Sequence, residues 1–149
     1  MDIVKKTPIH LWIVGVVSLL WNAFGATDYF MTRTRGAAWI DQMMPGIDSA
    51  KFMAYVDGFP LWASIGWGLG VWGALAGSIL LLARKRLAEP VFAISAIGAV
   101  VGIGYQLANP VDIAAMNEGA AGVMGYVIIA ITFGLWFYAR RQKAAGVLR

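Results

Sequence analysis

Residues 60–86 read PLWASIGWGLGVWGALAGSILLLARKR. The first 24 of them, residues 60–83, are all apolar or small, and the basic run Arg84, Lys85, Arg86 follows directly. About 20 helical residues are enough to cross the ~30 Å hydrocarbon core of a bilayer. The segment therefore predicts a membrane-spanning helix that ends at the basic run.

The same segment carries four glycines at spacings i, i+4, i+7 and i+11: Gly66, Gly70, Gly73 and Gly77. At about 100° per residue they fall within an arc of about 60° on one helix face. In water each interior glycine would cost up to about 1 kcal/mol relative to alanine. In lipid a smooth glycine face instead lets a neighbouring helix approach closely, so we predict that other helices pack on this face.

The composition extends the membrane interpretation to the whole chain. Of 149 residues, 60% are hydrophobic and only 13% are charged, which exceeds the apolar content of soluble domains. Four runs are long enough to span a bilayer: residues 9–30, 60–83, 91–108 and 120–139. We predict a single all-α membrane domain over residues 1–149, built as a bundle of four transmembrane helices.

The distribution of charge predicts the orientation of the bundle. If the N-terminus is cytoplasmic, nine of the twelve basic residues lie inside: Lys5, Lys6, Arg84, Lys85, Arg86, Arg140, Arg141, Lys143 and Arg149. The outer side then holds Arg33, Arg35 and Lys51 together with Asp28, Asp41, Asp48, Asp57, Asp112 and Glu118. This is the positive-inside pattern, so we expect both termini to be cytoplasmic. The net charge of +4 then indicates orientation and contact with anionic lipid rather than binding of nucleic acid.

The segment between the first two spans, residues 32–59, has its own helical pattern. Ile40, Met43 and Met44 share one face before the break at Pro45-Gly46, and Asp48 or Ser49 is positioned to cap a second helix. Two short amphipathic helices that lie in the outer headgroup region fit this pattern. A lid over the bundle fits it as well, and the sequence leaves both readings open.

Small residues also line the first and third spans. Gly15, Ser18, Asn22 and Gly25 share one arc of the first span, and Gly98 and Gly102 form a GxxxG pair in the third. These patterns predict further close helix contacts. The predicted helix-packing set is Gly15, Gly25, Gly66, Gly70, Gly73, Gly77, Gly98 and Gly102.

A set of polar residues is biased toward the outer half of the predicted bundle: Asn22, Asp28, Ser64, Tyr105, Gln106, Asn109 and Tyr126. The set fits an outward-facing pocket for a polar solute or a lipid headgroup, and equally fits hydrogen bonds that join helices. Lipid offers amides no hydrogen-bond partner. We therefore expect Asn22 and Gln106 to point into the bundle, within reach of each other, of Tyr105 or of a bridging water.

The sequence offers little reactive chemistry. It contains no cysteine and a single histidine, His10, which cannot form a bis-histidine cofactor site and fits an interfacial position. No carboxylate lies near the middle of any span, as a proton-coupled carrier would require. We predict no enzyme activity, no metal site and no cofactor. The deep tryptophans Trp21, Trp67 and Trp72 fit volume filling opposite a glycine face, with stacking of a sugar, quinone or carotenoid as the alternative. A bound lipid or apolar small molecule is a further partner that the sequence leaves open.

Two runs resemble a known family. Residues 7–32, TPIHLWIVGVVSLLWNAFGATDYFMT, and residues 55–90, YVDGFPLWASIGWGLGVWGALAGSILLLARKRLAEP, are similar to an uncharacterised family of short bacterial four-helix inner-membrane proteins. Some members of that family carry the label "sugar transporter". The resemblance implies the four-helix architecture and a bacterial inner membrane, and it implies no particular functional residue.

Two functions remain open at this stage. The first is a non-catalytic integral membrane protein that acts by helix packing, as an accessory or assembly subunit of a larger inner-membrane complex. It is favoured by the small-residue faces on three helices. The second is a carrier or binding protein for a small solute, such as a sugar, that works as an oligomer. It is favoured by the outer polar set and by the family label.

Overall fold

The structure, a computed structural model, describes residues 6–149, and all regular secondary structure in this range is helical. The helices are, in chain order, α1 (Ile9–Arg35), α2 (Ala37–Met43), α3 (Ser49–Asp57), α4 (Leu61–Leu82), α5 (Ala88–Ala108), α6 (Ala114–Asn117) and α7 (Gly119–Ala144). Four of them, α1, α4, α5 and α7, are long and apolar enough to cross a membrane. The chain is a multi-pass membrane protein, and the predicted all-α bundle is confirmed at this level. Lys5, one of the nine basic residues predicted to be cytoplasmic, lies outside the described residues.

The helices extend beyond the apolar runs that predicted them. α1 continues to Arg35 rather than stopping at residue 30, and α7 continues to Ala144 rather than residue 139. Hydropathy marks only the part of a helix that lies in hydrocarbon, whereas the backbone stays helical until a residue breaks it. Gly36, with a φ of 54°, ends α1 in this way. The predicted limits of α4, residues 60–83, are correct to one residue at each end.

Prolines mark three of the helix starts. Pro8 and Pro60 are the N-cap residues of α1 and α4, and both have extended backbone angles. The third span is predicted over residues 91–108, but α5 begins at Ala88, so Pro90 lies in its first turn. Proline is tolerated inside the first turn of a helix because the missing N–H would have no intrahelical partner there.

The four long helices are neighbours in the order α1–α4–α5–α7. The most extensive packing is between α4 and α5, followed by α5 with α7 and α1 with α4. A short turn joins α4 to α5, so these two helices are antiparallel. Among the described residues, α1 and α7 have no comparable packing. The four helices therefore do not form a closed ring along their whole length.

Residues 32–35 are the last turn of α1, and the two predicted short helices follow as α2 and α3. The carboxylate of Asp48 accepts a hydrogen bond from the backbone N–H of Lys51 at 2.9 Å, which identifies it as the cap of α3. Ile40 of α2 and Val56 of α3 are almost completely buried. The Tyr55 hydroxyl donates to the backbone carbonyl of Asn109 at 2.7 Å, which ties α3 to the end of α5.

We name the two ends of the bundle by their side chains. The aromatic end comprises α3, the start of α4 and the end of α5. The basic end comprises residues 6–8, the turn between α4 and α5, and the end of α7. The hydrophobic core lies at the basic end, where four helices and the chain after α7 contribute Leu11, Leu81, Ala88, Phe92, Leu135, Ala139, Val147 and Leu148.

The segment after α7 is part of this core rather than a free tail. Leu148 is 1% exposed, and Arg149 pairs through its backbone with the turn between α4 and α5. The N–H of Arg149 donates to the carbonyl of Arg84 at 2.8 Å, and the N–H of Arg86 donates to the carbonyl of Arg149 at 2.9 Å. Arg84 has a left-handed backbone conformation, with a φ of 55°. The turn and the segment after α7 therefore stabilise each other.

Candidate functional site

The glycine face of α4 lies against α5. A Cβ atom added at Gly70 would lie 3.0 Å from the backbone nitrogen of Ala99, and one added at Gly66 would lie 2.9 Å from that of Gly102. Further along the same face, Gly73 lies against Ser95 and Gly77 against the ring of Phe92. The structure thus places all four glycines of this face in one continuous seam.

The GxxxG pair of α5 lies on the other side of the same seam. A Cβ at Gly98 would lie 2.5 Å from the backbone nitrogen of Gly70, and one at Gly102 would lie 2.6 Å from that of Trp67. Both neighbours are backbone atoms, so a side chain would have to push the helices apart. The Ser95 hydroxyl adds an interhelical hydrogen bond, donating to the carbonyl of Gly70 at 2.6 Å.

The seam between α1 and α4 combines a glycine contact with a buried polar pair. Gly15 lies directly against the side chain of Leu82. The Asn22 amide donates to the Ser78 hydroxyl at 2.8 Å and to the carbonyl of Ala74 at 3.2 Å. The Ser78 hydroxyl in turn donates to the carbonyl of Ala74 at 2.9 Å. These bonds join α1 to the part of α4 that approaches the basic end.

Asn22 and Gln106 do not meet, so of the expected arrangements the direct pair is wrong. Asn22 is buried, as expected, but both of its hydrogen bonds go to α4. Gln106 donates to the carbonyl of Gly102 on its own helix, at 3.4 Å. The physical reason is the neighbour order: α4 separates α1 from α5, so the faces that carry the two amides do not meet.

The structure does not bring the seven predicted outer polar residues into one pocket. Asp28 is half-buried and accepts from the indole of Trp39 at 2.9 Å, whereas Tyr126 is 62% exposed. Asn109 is exposed, and its amide donates to the carbonyl of Tyr105 on its own helix. Ser64, Tyr105 and Gln106 are half-buried at the aromatic end, far along α4 and α5 from the Asn22–Ser78 pair.

An aromatic cluster occupies the aromatic end of the bundle. Its rings meet edge to face or tilted, with centroids 4.7 Å to 6.1 Å apart: Tyr29, Tyr55, Phe59, Trp62, Trp67, Trp72 and Tyr105. Such contacts stabilise packing. Tyr55 is outside the spans, and burial together with the nearby Tyr105 raises its pKa. Trp67 and Trp72, two of the three deep tryptophans, thus pack against other rings of this chain.

Basic and polar side chains form local links at the basic end. Lys143 of α7 pairs with Glu89 of α5 at 2.8 Å, and Arg84 donates to the Thr7 hydroxyl at 2.8 Å. His10 Nδ1 lies 2.6 Å from the hydroxyl of Tyr138, which joins the start of α1 to the end of α7. His10 is therefore a surface residue with a protein partner, and among the described residues no group of acidic and histidine side chains could hold a metal.

A groove opens between α1 and α7 beside the His10–Tyr138 link. It has a volume of about 350 Å³ and apolar walls, formed by Ile13, Val14, Val17, Ser18, Trp21, Ile131 and Leu135. The only hydroxyl in this lining, that of Ser18, donates to the carbonyl of Gly15 on its own helix at 3.1 Å. Sequence reasoning missed this groove, because its residues read as ordinary apolar positions on two helices distant in the chain.

Six of the described glycines face open space, and three of these lie in the interior of a long helix. A Cβ atom at Gly25, Gly104 or Gly134 would meet nothing within 4 Å, whereas Gly15, Gly66, Gly70, Gly73, Gly77, Gly98 and Gly102 all lie against other helices. Gly25, although predicted to pack, thus has no helix against it within the described chain. On α7, Ala130 and Gly134 are both exposed and stand one turn apart.

Comparison of the chain with protein-family models, with curated proteins and with solved structures finds no match. The resemblance to short bacterial four-helix inner-membrane proteins therefore stays a prediction.

Proposed function

We propose that this protein is a non-catalytic accessory or assembly subunit of a larger membrane complex, and that it acts by helix packing. One observation carries the proposal: α7 offers an unused small-residue face. Only 11% of the apolar span of α7 is buried within the chain, against 33% for α4 and for α5. This helix therefore has the most surface left for another protein.

The chemistry of the α7 face fits a helix partner. Ala130 and Gly134 are spaced i and i+4, the small-xxx-small pattern that allows close approach of helices in lipid. Val127 and Phe137 flank them on the same side and are 41% and 53% exposed. A partner helix would gain close backbone contact at the small residues and van der Waals contact with the flanking side chains.

The interior of the bundle supports the same proposal. The polar side chains buried between helices already have partners within the bundle: Ser18, Asn22, Ser78, Ser95 and Thr132 all donate to backbone carbonyls or to one another. Buried polar groups with satisfied hydrogen bonds hold helices together and have little to offer a polar solute. A role that uses the outside of the bundle fits this arrangement better than a role that uses its interior.

We further propose that the basic end faces the cytoplasm of a bacterium, so that the protein is an inner-membrane protein with both termini inside. Among the described residues this end carries the side chains of Lys6, Arg84, Lys85, Arg86, Arg140, Arg141, Lys143 and Arg149, with Glu89 as its one acidic side chain. A basic excess in short loops is retained on the cytoplasmic side. A cysteine introduced at Ser49 should react with an impermeant reagent from the periplasm, and one at Gln142 should not.

The experiment that tests the subunit role is purification of the full chain in native nanodiscs or mild detergent, followed by mass spectrometry of what accompanies it. We expect a stoichiometric membrane-protein partner. Gly134→Leu should abolish most of its recovery, because a leucine side chain would hold the partner helix away from Ala130. Gly104→Leu is the matched control, since Gly104 also faces open space but on α5.

Two results would contradict the subunit role. One is a partner recovered equally well with Gly134→Leu and with Gly104→Leu, which would place the contact away from this face of α7. The other is a homo-oligomer that retains a bound small solute and no second protein, which would favour the carrier function. Thermal stability of both variants should match the parent chain, because neither glycine contacts another helix of the bundle.

A further inference from the structure

The groove between α1 and α7 has the form of a site for a thin apolar chain. Its floor contains the buried side chains of Ser18 and Leu135, and its rim contains Ile13 and Val17, which are 59% and 61% exposed. The volume of about 350 Å³ lies within the range of roughly 300–1,000 Å³ that small-molecule sites occupy. It opens sideways, so in a bilayer its mouth faces lipid.

The walls of the groove are unsuited to a helix. Close helix contact in lipid depends on small residues at the interface, whereas the sides here carry branched or aromatic side chains such as Ile13, Val17 and Trp21. Ser18 needs no hydrogen-bond acceptor from a bound molecule, because its hydroxyl already donates to the carbonyl of Gly15. A flexible hydrocarbon chain can fit between bulky side chains that would keep two helix backbones apart.

The foot of the groove is polar and basic. One turn before Val14 on α1 lies His10, and it meets Tyr138, which lies one turn after Leu135 on α7. Lys6 precedes α1, Arg141 follows Tyr138 by three residues on α7, and both side chains are exposed. An anionic headgroup is stabilised by about 1 kcal/mol for each basic residue near the membrane surface. The charge at the foot therefore complements a phosphate.

We propose that the α1–α7 groove binds an anionic glycerophospholipid. One acyl chain lies along Ile13, Val17 and Leu135, and the phosphate lies at the basic foot near His10, Lys6 and Arg141. The lipid fills the gap that the chain leaves between α1 and α7. On α7 the groove residues Ile131 and Leu135 lie about 100° around the helix from Ala130 and Gly134, whereas Arg141 lies seven residues after Gly134 on the partner face. The substitution at Val17 on α1 therefore tests the groove apart from the partner face.

The test is native mass spectrometry of the full chain with two probes that share acyl chains, dioleoyl-phosphatidylglycerol and dioleoyl-phosphatidylcholine. We expect the anionic lipid to bind more tightly. Arg141→Gln should weaken that preference about fivefold, the equivalent of about 1 kcal/mol. Arg140→Gln is the matched control, because Arg140 is also exposed and lies on another side of α7. The preference of the Arg140→Gln variant for the anionic lipid should stay close to that of the parent chain.

A second variant tests the chain-binding part. Val17→Trp should fill the groove and lower retention of both lipids, whereas Val16→Trp adds the same volume at a neighbouring exposed position outside the lining. Both positions are exposed, so both variants should fold with the thermal stability of the parent chain. Equal lipid retention by the two variants would overturn the proposal. So would equal binding of the two lipids, or a dimer that only Val17→Trp disrupts, since a second copy would then occupy the groove.

Discussion

Two pairs of helices in this bundle pack in opposite ways. α4 and α5 are in close contact along a seam, whereas α1 and α7 are separated by a gap. Along the seam, backbone meets backbone at Gly66, Gly70, Gly98 and Gly102, and toward the basic end Gly77 lies against the ring of Phe92. Across the gap, the helices meet at the basic end and leave a groove of about 350 Å³ beside the His10–Tyr138 link. Both pairs of helices are apolar, so hydrophobicity does not explain the difference.

Side-chain size explains it. In lipid the surroundings of a helix are as apolar as its side chains, so association depends on close packing rather than on escape from water. Glycine and alanine let α4 and α5 approach, whereas the facing parts of α1 and α7 carry larger side chains, such as Val14, Ile131 and Leu135, and leave a groove. The seam between α1 and α4 is intermediate, because it has a glycine contact at Gly15 and a polar pair at Asn22 and Ser78.

The largest effect on stability is expected from a substitution in the seam between α4 and α5. Gly98→Leu should lower the free energy of unfolding by about 3 kcal/mol or more, because overpacking costs typically 1–3 kcal/mol and here the clash is with backbone. A Cβ at this position would lie 2.5 Å from the nitrogen of Gly70. Unfolding by sodium dodecyl sulfate in mixed micelles measures the change.

The control for the seam is Gly104→Leu, the same exchange on the same helix at a position where a Cβ meets nothing within 4 Å. We expect it to change stability by less than about 0.5 kcal/mol, as exposed substitutions usually do. Equal destabilisation by Gly98→Leu and Gly104→Leu would show that glycine is needed for helix conformation rather than for contact.

A smaller effect is expected at the intermediate seam. A double-mutant cycle with Asn22→Ala and Ser78→Ala should give a coupling of about 0.6 kcal/mol and no more than about 1.7 kcal/mol, the range measured for hydrogen bonds between membrane helices. The Asn22–Ser78 distance of 2.8 Å is the basis for a measurable coupling. Asn22→Ala combined with Ser95→Ala should couple negligibly, because Ser95 bonds to Gly70 and lies on α5. If the coupling energy of Asn22 with Ser78 were no larger than that of Asn22 with Ser95, the polar pair would not stabilise the α1–α4 seam.

The smallest effect is expected outside the bundle, where Lys51 of α3 pairs with Asp112 at 2.7 Å. Hydrogen bonding and charge attraction from Lys51 lower the pKa of Asp112. A lowered folded-state pKa means that the pair stabilises the protein above the ordinary carboxyl pKa of about 3.9, and that this contribution is lost as the pH falls through the folded-state pKa.

The Asp112 carboxylate is almost fully exposed, so solvent screens the pair and the contribution is small. Thermal unfolding of the parent chain should therefore lose slightly more stability than Asp112→Asn as the pH is lowered below about 3.9. The difference should disappear in about 1 M salt, where the screening length is only about 3 Å. A difference that survives high salt would indicate a contact other than this ion pair.

The sequence by itself predicted the four long helices and the glycine faces that meet in the tightest contact. Runs of apolar residues determine which segments cross a membrane, so four spans follow from composition alone, and the cap at Asp48 follows from local hydrogen bonding. The glycine face of α4 and the GxxxG pair of α5 can be recognised in the sequence, because the periodicity of a single helix is enough to place their glycines on one face. The short turn between these helices then makes them neighbours.

Only the tertiary structure decided which other faces meet. The Asn22 amide could have met any polar face, and of the expected arrangements the direct pair with Gln106 was wrong because α4 stands between α1 and α5. The α1–α7 groove and the docking of Arg149 on the turn at Arg84 join segments far apart in the chain. Helical periodicity describes one helix at a time, whereas the order of helices in a bundle depends on the fit of all their surfaces together. That is the physical reason why the helices and the α4–α5 seam followed from the sequence, and the groove did not.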